Sequence, residues 1–246
     1  MTRLSVWLVV LSSILALGAF AWPLVGLLSP EDAPALVPLM SVILAPVLAL
    51  GVGLLLDGSL RNARAVAILG VLAAVGSIVR ISTVGIAGVE TVFIILVLAG
   101  RVLGARLGFL LGLLTIAVSS IAMGSIGPWT PFQMFAAAWV GAGAGLLPGK
   151  TLRGWREIVV LAAYGLLAAY AFGALMNLWF WPFAVGQGTS ISYVSRGTLG
   201  ENLAHFGVYT LVTSTLTWDT VRALTTVIGI AIVGGFSLRA LRRAKI

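Results

Sequence analysis

Residues 156–181 read REIVVLAAYGLLAAYAFGALMNLWFW, and this stretch decides the fold class. From Ile158 to Trp181 no residue carries a charge, and the most polar side chains are Tyr164, Tyr170 and Asn177. The run is longer than an ordinary strand and shows no alternation of apolar and polar residues at period two, so a strand is disfavoured. Roughly 20 apolar residues suffice for a helix to cross a bilayer. A helix also satisfies each backbone donor and acceptor within itself, as the hydrocarbon requires. The stretch predicts a transmembrane helix.

The same pattern recurs along the chain. Apolar windows between charged or Pro/Gly breaks predict eight spans, at 4–28, 36–56, 65–84, 89–102, 105–124, 131–148, 156–181 and 219–238. The fourth is short for a crossing. The first follows Arg3, outruns the h-region of a signal peptide and ends on a poor cleavage site at Ala21-Trp22-Pro23, so it is expected to be retained. Composition agrees: 60% of the 246 residues are hydrophobic and only 9% charged, against about 25% charged in an average soluble domain. With a mean hydropathy of +1.13, a soluble globular domain is excluded.

The formal charge is +8, yet the basic residues flank apolar runs singly or in small groups. Nucleic-acid binding needs a contiguous solvated basic face, so nucleic acid is not expected as a partner. The pattern is instead that of membrane topology. Of the 15 basic residues, only Arg80, Arg196 and Arg222 fall on one side of the eight-span arrangement. The rest mark the cytoplasmic side, which predicts a multi-pass protein of the bacterial inner membrane with both termini cytoplasmic. There is no cysteine and one histidine, His205. Disulfides, thiolate chemistry and multi-histidine metal sites are thereby excluded.

Three outer connections carry the informative residues. The first is a Gly-rich turn, Ser82 to Glu90, across which Arg80 and Glu90 are expected to pair. The second contains Gly127-Pro-Trp-Thr-Pro-Phe-Gln133, where two prolines stiffen the turn. It presents Trp129 and Gln133 at the outer mouth. Trp129 has a second reading as an interfacial anchor, whereas a polar Gln133 one turn into an apolar helix favours a ligand contact. The third runs from about Pro182 to Trp218. Within it Thr198-Leu-Gly-Glu201 has the capping-box pattern, and Leu199, Leu203 and Phe206 follow at helical spacing. That predicts a short helix over the outer face, as a lid or as an interfacial element.

Asn177, in Met176-Asn-Leu-Trp-Phe-Trp-Pro182, sits in an apolar run where its amide needs a neighbouring helix or a ligand. Trp181 and Tyr193, with Arg196, Asn202 and His205, complete a candidate polar and aromatic mouth. Asp219 reads as a favourable charge at a helix N-terminus. Small residues recur every fourth position at Ala63 and Ala67, Gly70 and Ala74, Gly100 to Gly112, and Ala137 to Gly145. Such spacing lets helices approach closely, either inside the bundle or against another membrane subunit. The sequence holds no GxxxxGK[ST], HExxH or GxSxG motif and no facing acids within the spans. It has no evident energy input of its own.

Residues 62–245 resemble the substrate-binding membrane subunit (S component) of energy-coupling factor transporters. The resemblance is carried by Ala63-Arg-Ala-Val-Ala-Ile-Leu-Gly-Val-Leu-Ala-Ala-Val-Gly76 with the Arg80 region and by Gly100-Arg-Val-Leu-Gly-Ala-Arg-Leu-Gly-Phe109. Gly127 to Met134, Met176 to Pro182 and the terminal Arg239 to Lys245 continue it in order. It implies an all-α fold: a six-helix substrate-binding domain at 61–246, here preceded by an N-terminal transmembrane hairpin at 1–60 that departs from the family pattern. It further implies a transmembrane coupling subunit and two ABC-type ATPases as partners, so the chain itself is not expected to be an enzyme or to hold a cofactor or metal. Ala63, Ala67, Gly70 and Ala74 would meet the coupling subunit. The ligand would be a vitamin captured at the outer face; the chain looks most like members assigned to cobalamin, and another vitamin suits the mouth equally. Two rival readings are a stand-alone secondary transporter or channel, and a membrane enzyme using His205 and Glu201 on lipid-linked substrates.

Overall fold

The computed structural model describes residues 3–24, 63–83, 86, 88–149, 151–186 and 188–244. The span expected at 36–56, and Glu31, Asp32, Arg61, Lys150 and Lys245, lie outside the described residues. Among the described residues all regular structure is helical. The α-helices are α1 (Arg3–Phe20), α2 (Ala63–Thr83), α3 (Val92–Leu103), α4 (Ala105–Ala122), α5 (Thr130–Leu146), α6 (Trp155–Ala184), α7 (Leu199–Thr210) and α8 (Thr220–Ala244). Among the described residues, four stretches are long and apolar enough to cross a membrane: α2, α4, α6 and the continuous helix Leu199–Ala244.

The short fourth segment is the centre of the bundle. Most of α3 is buried, from Val92 and Phe93 through Leu96 to Gly100 and Val102, and α2, α4, α5, α6 and α8 all pack on it. Its 12 residues rise only about 18 Å. A helix enclosed by other helices has no need to match the hydrocarbon thickness, because protein rather than lipid covers its ends.

Around this axis, α4 and α5 pack most extensively, and the glycine repeat explains how. A Cβ on Gly108 would fall on the Gly141 carbonyl oxygen, and one on Gly141 would fall on that of Gly108. Gly100 of α3 meets the same Gly141 carbonyl, and Gly112 faces the Ala137 carbonyl. This repeat is internal packing, backbone against backbone. The repeat on α2 lies differently. Leu69, Ala73, Gly76 and Ser77 are buried, with Ser77 Oγ donating to the Thr115 carbonyl of α4 at 3.1 Å. Ala63, Ala67, Gly70 and Ala74 are exposed instead, and a Cβ on Gly70 would meet nothing within 4 Å.

Helix α1 packs on α5 and α6 through aromatic rings at its C-terminal end. Phe20 meets Phe132 edge to face at 5.0 Å, and Trp22 lies 5.7 Å from Phe183. The Trp22 indole donates to the Trp179 carbonyl at 3.1 Å, in a turn loosened by Pro182, which has no N–H to give. Helix α6 nevertheless continues through Pro182 to Ala184, beyond the expected end at 181.

The expected long connection to the last span is mostly helical as well. Thr198 caps α7, its Oγ1 accepting from the Glu201 amide at 3.2 Å. Helix α7 is not a separate element lying over the bundle, as the sequence suggests. It runs through a π-helical segment, Leu211–Asp219, directly into α8. Hydroxyls support the wide turns: Thr213 Oγ1 donates to the Tyr209 carbonyl at 2.7 Å and Thr220 Oγ1 to that of Thr215 at 2.6 Å. These internal bonds let the chain stay helical where the residue types favour turns.

At the arginine-rich end, Glu157 is 1% exposed and holds two cations. Arg101 Nε lies 3.0 Å from its Oε1 and Arg242 Nη2 2.6 Å from the same oxygen. Arg101 also donates to the Leu147 carbonyl at 2.9 Å and the Gly149 carbonyl at 2.6 Å, which ties the α5–α6 connection to α3. Arg101 and Arg242, which the sequence marks only as charges flanking apolar runs, thus meet on one buried carboxylate.

Candidate functional site

At the opposite end of α3 the helices part around a cavity of about 210 Å³. Its polar wall is Arg80 of α2, Glu90 ahead of α3 and Gln133 of α5; its aromatic wall is Phe93, Phe172 and Trp218. Each comes from a different element because α3 starts at the cavity and the surrounding helices pass it. The Gly-rich turn closes one side. Gly88 has φ +75°, and a side chain there would press on the backbone of Trp218 and on Val221. Only glycine fits both the left-handed conformation and the close approach.

Arg80 and Glu90 both line the cavity, but the ion pair expected between them is not the one formed. Glu90 Oε1 accepts from Arg222 Nη2 at 2.8 Å, and Arg222 Nη1 lies 2.6 Å from Asp219 Oδ1. The guanidinium of Arg222 is held between Phe93 and Phe172, at 5.7 and 5.2 Å from the ring centroids. Asp219 is 1% exposed, and its other oxygen accepts from Ser214 Oγ at 2.8 Å. It is therefore a buried counter-ion and not an exposed helix-start charge. Gly173 makes this possible: a Cβ there would overlap the Asp219 carboxylate. With both acids in contact with Arg222, Arg80 makes its hydrogen bonds to neutral groups, while Glu90 on the same wall acts on its charge through space. Arg80 Nη1 donates to Ser119 Oγ at 2.9 Å and its Nη2 to Gln133 Oε1 at 3.1 Å. None of the ion pairs among the described residues includes Arg80.

Of the residues expected at the mouth, Gln133 alone is in the cavity wall. Trp129 is 40% exposed and folds its ring over Gly127, where a Cβ would collide with it. Asn177 has a buried amide nitrogen with no hydrogen-bond partner among the described residues, away from the cavity wall. The others build a small separate core beside it. Trp181 is fully buried with Tyr193 and Tyr209, its indole donating to the Ile191 carbonyl at 2.7 Å. Asn202 clamps the connection before α7, with Oδ1 accepting from the Val194 amide at 2.9 Å and Nδ2 donating to its carbonyl at 3.0 Å. His205 Nδ1 lies 2.8 Å from the Ser192 carbonyl. Arg196 is exposed, at φ 61°. Apart from Arg196, these side chains bond or pack within the connection, and none of them lines the cavity.

An Asn202→Ala variant is expected to free both backbone groups of Val194, a loss of about 1–3 kcal/mol at a buried site. Hydrogen exchange or proteolysis should then rise at 186–198 while α3, α4 and α5 stay protected. Uniform loosening of the whole chain would contradict the separate role of this cap.

The cavity residues missing from the sequence reading are Phe93, Phe172 and Trp218, with Arg222 behind them. Phe93 and Phe172 stand in apolar runs like any core residue and carry no signal. Arg80 did carry one, as a charge inside a span. Comparison with family models, with curated proteins and with solved structures finds no match to this chain.

Proposed function

We propose that the protein is the solute-binding subunit of an ATP-driven importer of the bacterial inner membrane. It captures a vitamin-sized molecule in the Arg80–Gln133 cavity, and separate subunits hydrolyse the ATP. The observation that carries this reading is the cavity itself: a partly open space with a guanidinium, a carboxylate and an amide on its polar wall, backed by aromatic rings. Recognition sites for small molecules have this make-up, an apolar enclosure with a few placed polar groups. Charge placement along the sequence puts this end outward.

Two further features support the importer reading over a stand-alone transporter. The half-exposed Glu90 and the buried Asp219 and Glu157 are each ion-paired with arginine, which leaves them poorly suited to carry protons or sodium ions. The exposed small-residue face of α2 at Ala63, Ala67, Gly70 and Ala74 suits a close contact with a transmembrane coupling subunit. On size, the cavity as it stands takes a compact vitamin, being smaller than the ~300–1,000 Å³ of usual ligand pockets. Cobalamin, with its corrin ring and nucleotide loop, requires the surrounding connections to part.

Native mass spectrometry of the purified chain is expected to show one retained water-soluble vitamin, and uptake in cells is expected to need the coupling subunit and ATPases. Ala67→Leu or Gly70→Leu should reduce co-purification of the coupling subunit and leave ligand retention unchanged. Uptake into proteoliposomes by this chain alone under an ion gradient would refute the proposal in favour of a secondary transporter.

A further inference from the structure

We propose that the cavity selects a formally neutral, planar solute that carries a hydrogen-bond acceptor and a donor side by side, as a ring carboxamide does. The proposal rests on the solute-binding reading above and names its substrate class. It starts from two opposite charges that face one space without meeting. Arg80 and Glu90 both line the cavity, yet none of the ion pairs among the described residues joins them. Each is held by another partner. Ser119 Oγ and Gln133 Oε1 take one Arg80 donor each, and Glu90 Oε1 accepts from Arg222.

Charge balance fixes the sign of the occupant. Arg80 and Arg222 offset Glu90 and Asp219, so the wall and the groups behind it are neutral together. A charge taken from water into such a site costs free energy unless an opposite charge matches it, and here each is already matched. An anion would gain Arg80 and face Glu90; a cation would gain Glu90 and face Arg80 and Arg222. A neutral solute disturbs neither balance. Hydrogen-bonding capacity sets its polar edge. A guanidinium has five donors, an amide keeps its NH2 when its oxygen is taken, and a carboxylate has a second oxygen. The wall therefore offers donors at Arg80 and Gln133 and an acceptor at Glu90, which a carbonyl beside an N–H complements. Phe93, Phe172 and Trp218 supply the aromatic wall, which suits a flat ring. The volume of about 210 Å³ holds a small ring system.

The test uses the full chain in phosphatidylcholine nanodiscs, with calorimetry as the readout and empty nanodiscs to subtract partitioning into lipid. Probes are benzoate, benzamide and benzamidinium, planar molecules of nearly one shape that differ in charge and in their donors and acceptors. Benzamide is expected to bind tightest, each ion being weaker by at least about tenfold, the scale of leaving a charged group unmatched. Arg80→Gln should move the preference to benzamidinium, and Glu90→Gln should move it to benzoate. The double variant, Arg80→Gln with Glu90→Gln, should return benzamide to first place at reduced affinity. A merely structural role would weaken all three probes alike. Thermal melting checks that each variant is folded; if a variant does not fold, the ranking in the parent chain decides. An ion that binds the parent chain as tightly as benzamide, no binding of any probe, or one ranking shared by the parent and both single variants would each overturn the proposal. A retained vitamin bearing net charge would refute this proposal alone, whereas benzamide selection without partner-dependent uptake would refute only the importer reading.

Discussion

A Gly141→Leu variant is expected to lose most of its folded population in detergent, with a melting temperature well below that of the parent chain. The first atom of any side chain at Gly141 falls on the Gly108 carbonyl oxygen, and Gly108 and Gly100 reciprocate on Gly141. All of these are backbone atoms on helices α3, α4 and α5, so no side chain can swing aside to make room. Overpacking a core costs typically 1–3 kcal/mol and occasionally more; a collision of backbone with backbone belongs at or beyond the upper end, about 3 kcal/mol. Helices in lipid associate largely through such close packing, because the surrounding tails are as apolar as their own side chains. Gly70→Leu is the matched control. Gly70 belongs to the same kind of four-residue repeat, but a side chain there enters open space, so the change in stability should stay within about 0.5 kcal/mol. Fluorescence-detected gel filtration after heating measures both. Equal losses in the two variants would sink the distinction between an internal seam and an exposed face.

A Glu157→Gln variant is expected to destabilise the arginine-rich end of the bundle at least as much. Glu157 is 1% exposed and is the shared counter-ion of Arg101 and Arg242. Removing one partner of a buried pair costs about 3–5 kcal/mol, because an uncompensated charge stays behind. The two arginines should not suffer alike. The Arg101 side chain is 4% exposed and that of Arg242 is 30% exposed, so Arg242 can turn toward water and Arg101 cannot. The loss should therefore be recovered in large part by adding Arg101→Met, which removes the stranded charge and keeps the volume. If the double variant is no more stable than Glu157→Gln alone, the stranded Arg101 is not the cause. The carbonyls of Leu147 and Gly149, now held by Arg101, would then be the place to look.

The two ends of the bundle were unequally legible in the sequence. Long uncharged runs announce helices whatever they pack against, so α2, α4, α5 and α6 sit close to the expected spans. The polar connection after Pro182 misled because Ser and Thr favour turns when their hydroxyls compete for backbone groups. In the π-helical segment those hydroxyls bond within the helix instead. Of the cavity wall, the sequence singled out Gln133 as a ligand contact, while Arg80 and Glu90 were expected only to pair with each other. Trp181, Tyr193, Asn202 and His205 lie outside the cavity wall; in sequence, a polar or aromatic side chain in an outer connection looks the same whether it holds a ligand or holds the connection.

By itself, the sequence determined that this chain is built from apolar helices, roughly where most of them lie and which residues are charged. Hydropathy and helical periodicity are local properties, and they survive whatever the neighbours do. Only the tertiary structure decided who pairs with whom. Glu90 lies ten residues from Arg80 and 132 from Arg222, yet it bonds the distant one because α8 carries Arg222 beside α3. That choice gathers two acids around one arginine and leaves Arg80 hydrogen-bonded to neutral groups in a cavity wall. The same holds for the glycine repeats: one spacing, buried against backbone on α4 and open on α2. Charge balance and close approach are sums over elements far apart in the chain, and no local pattern contains them.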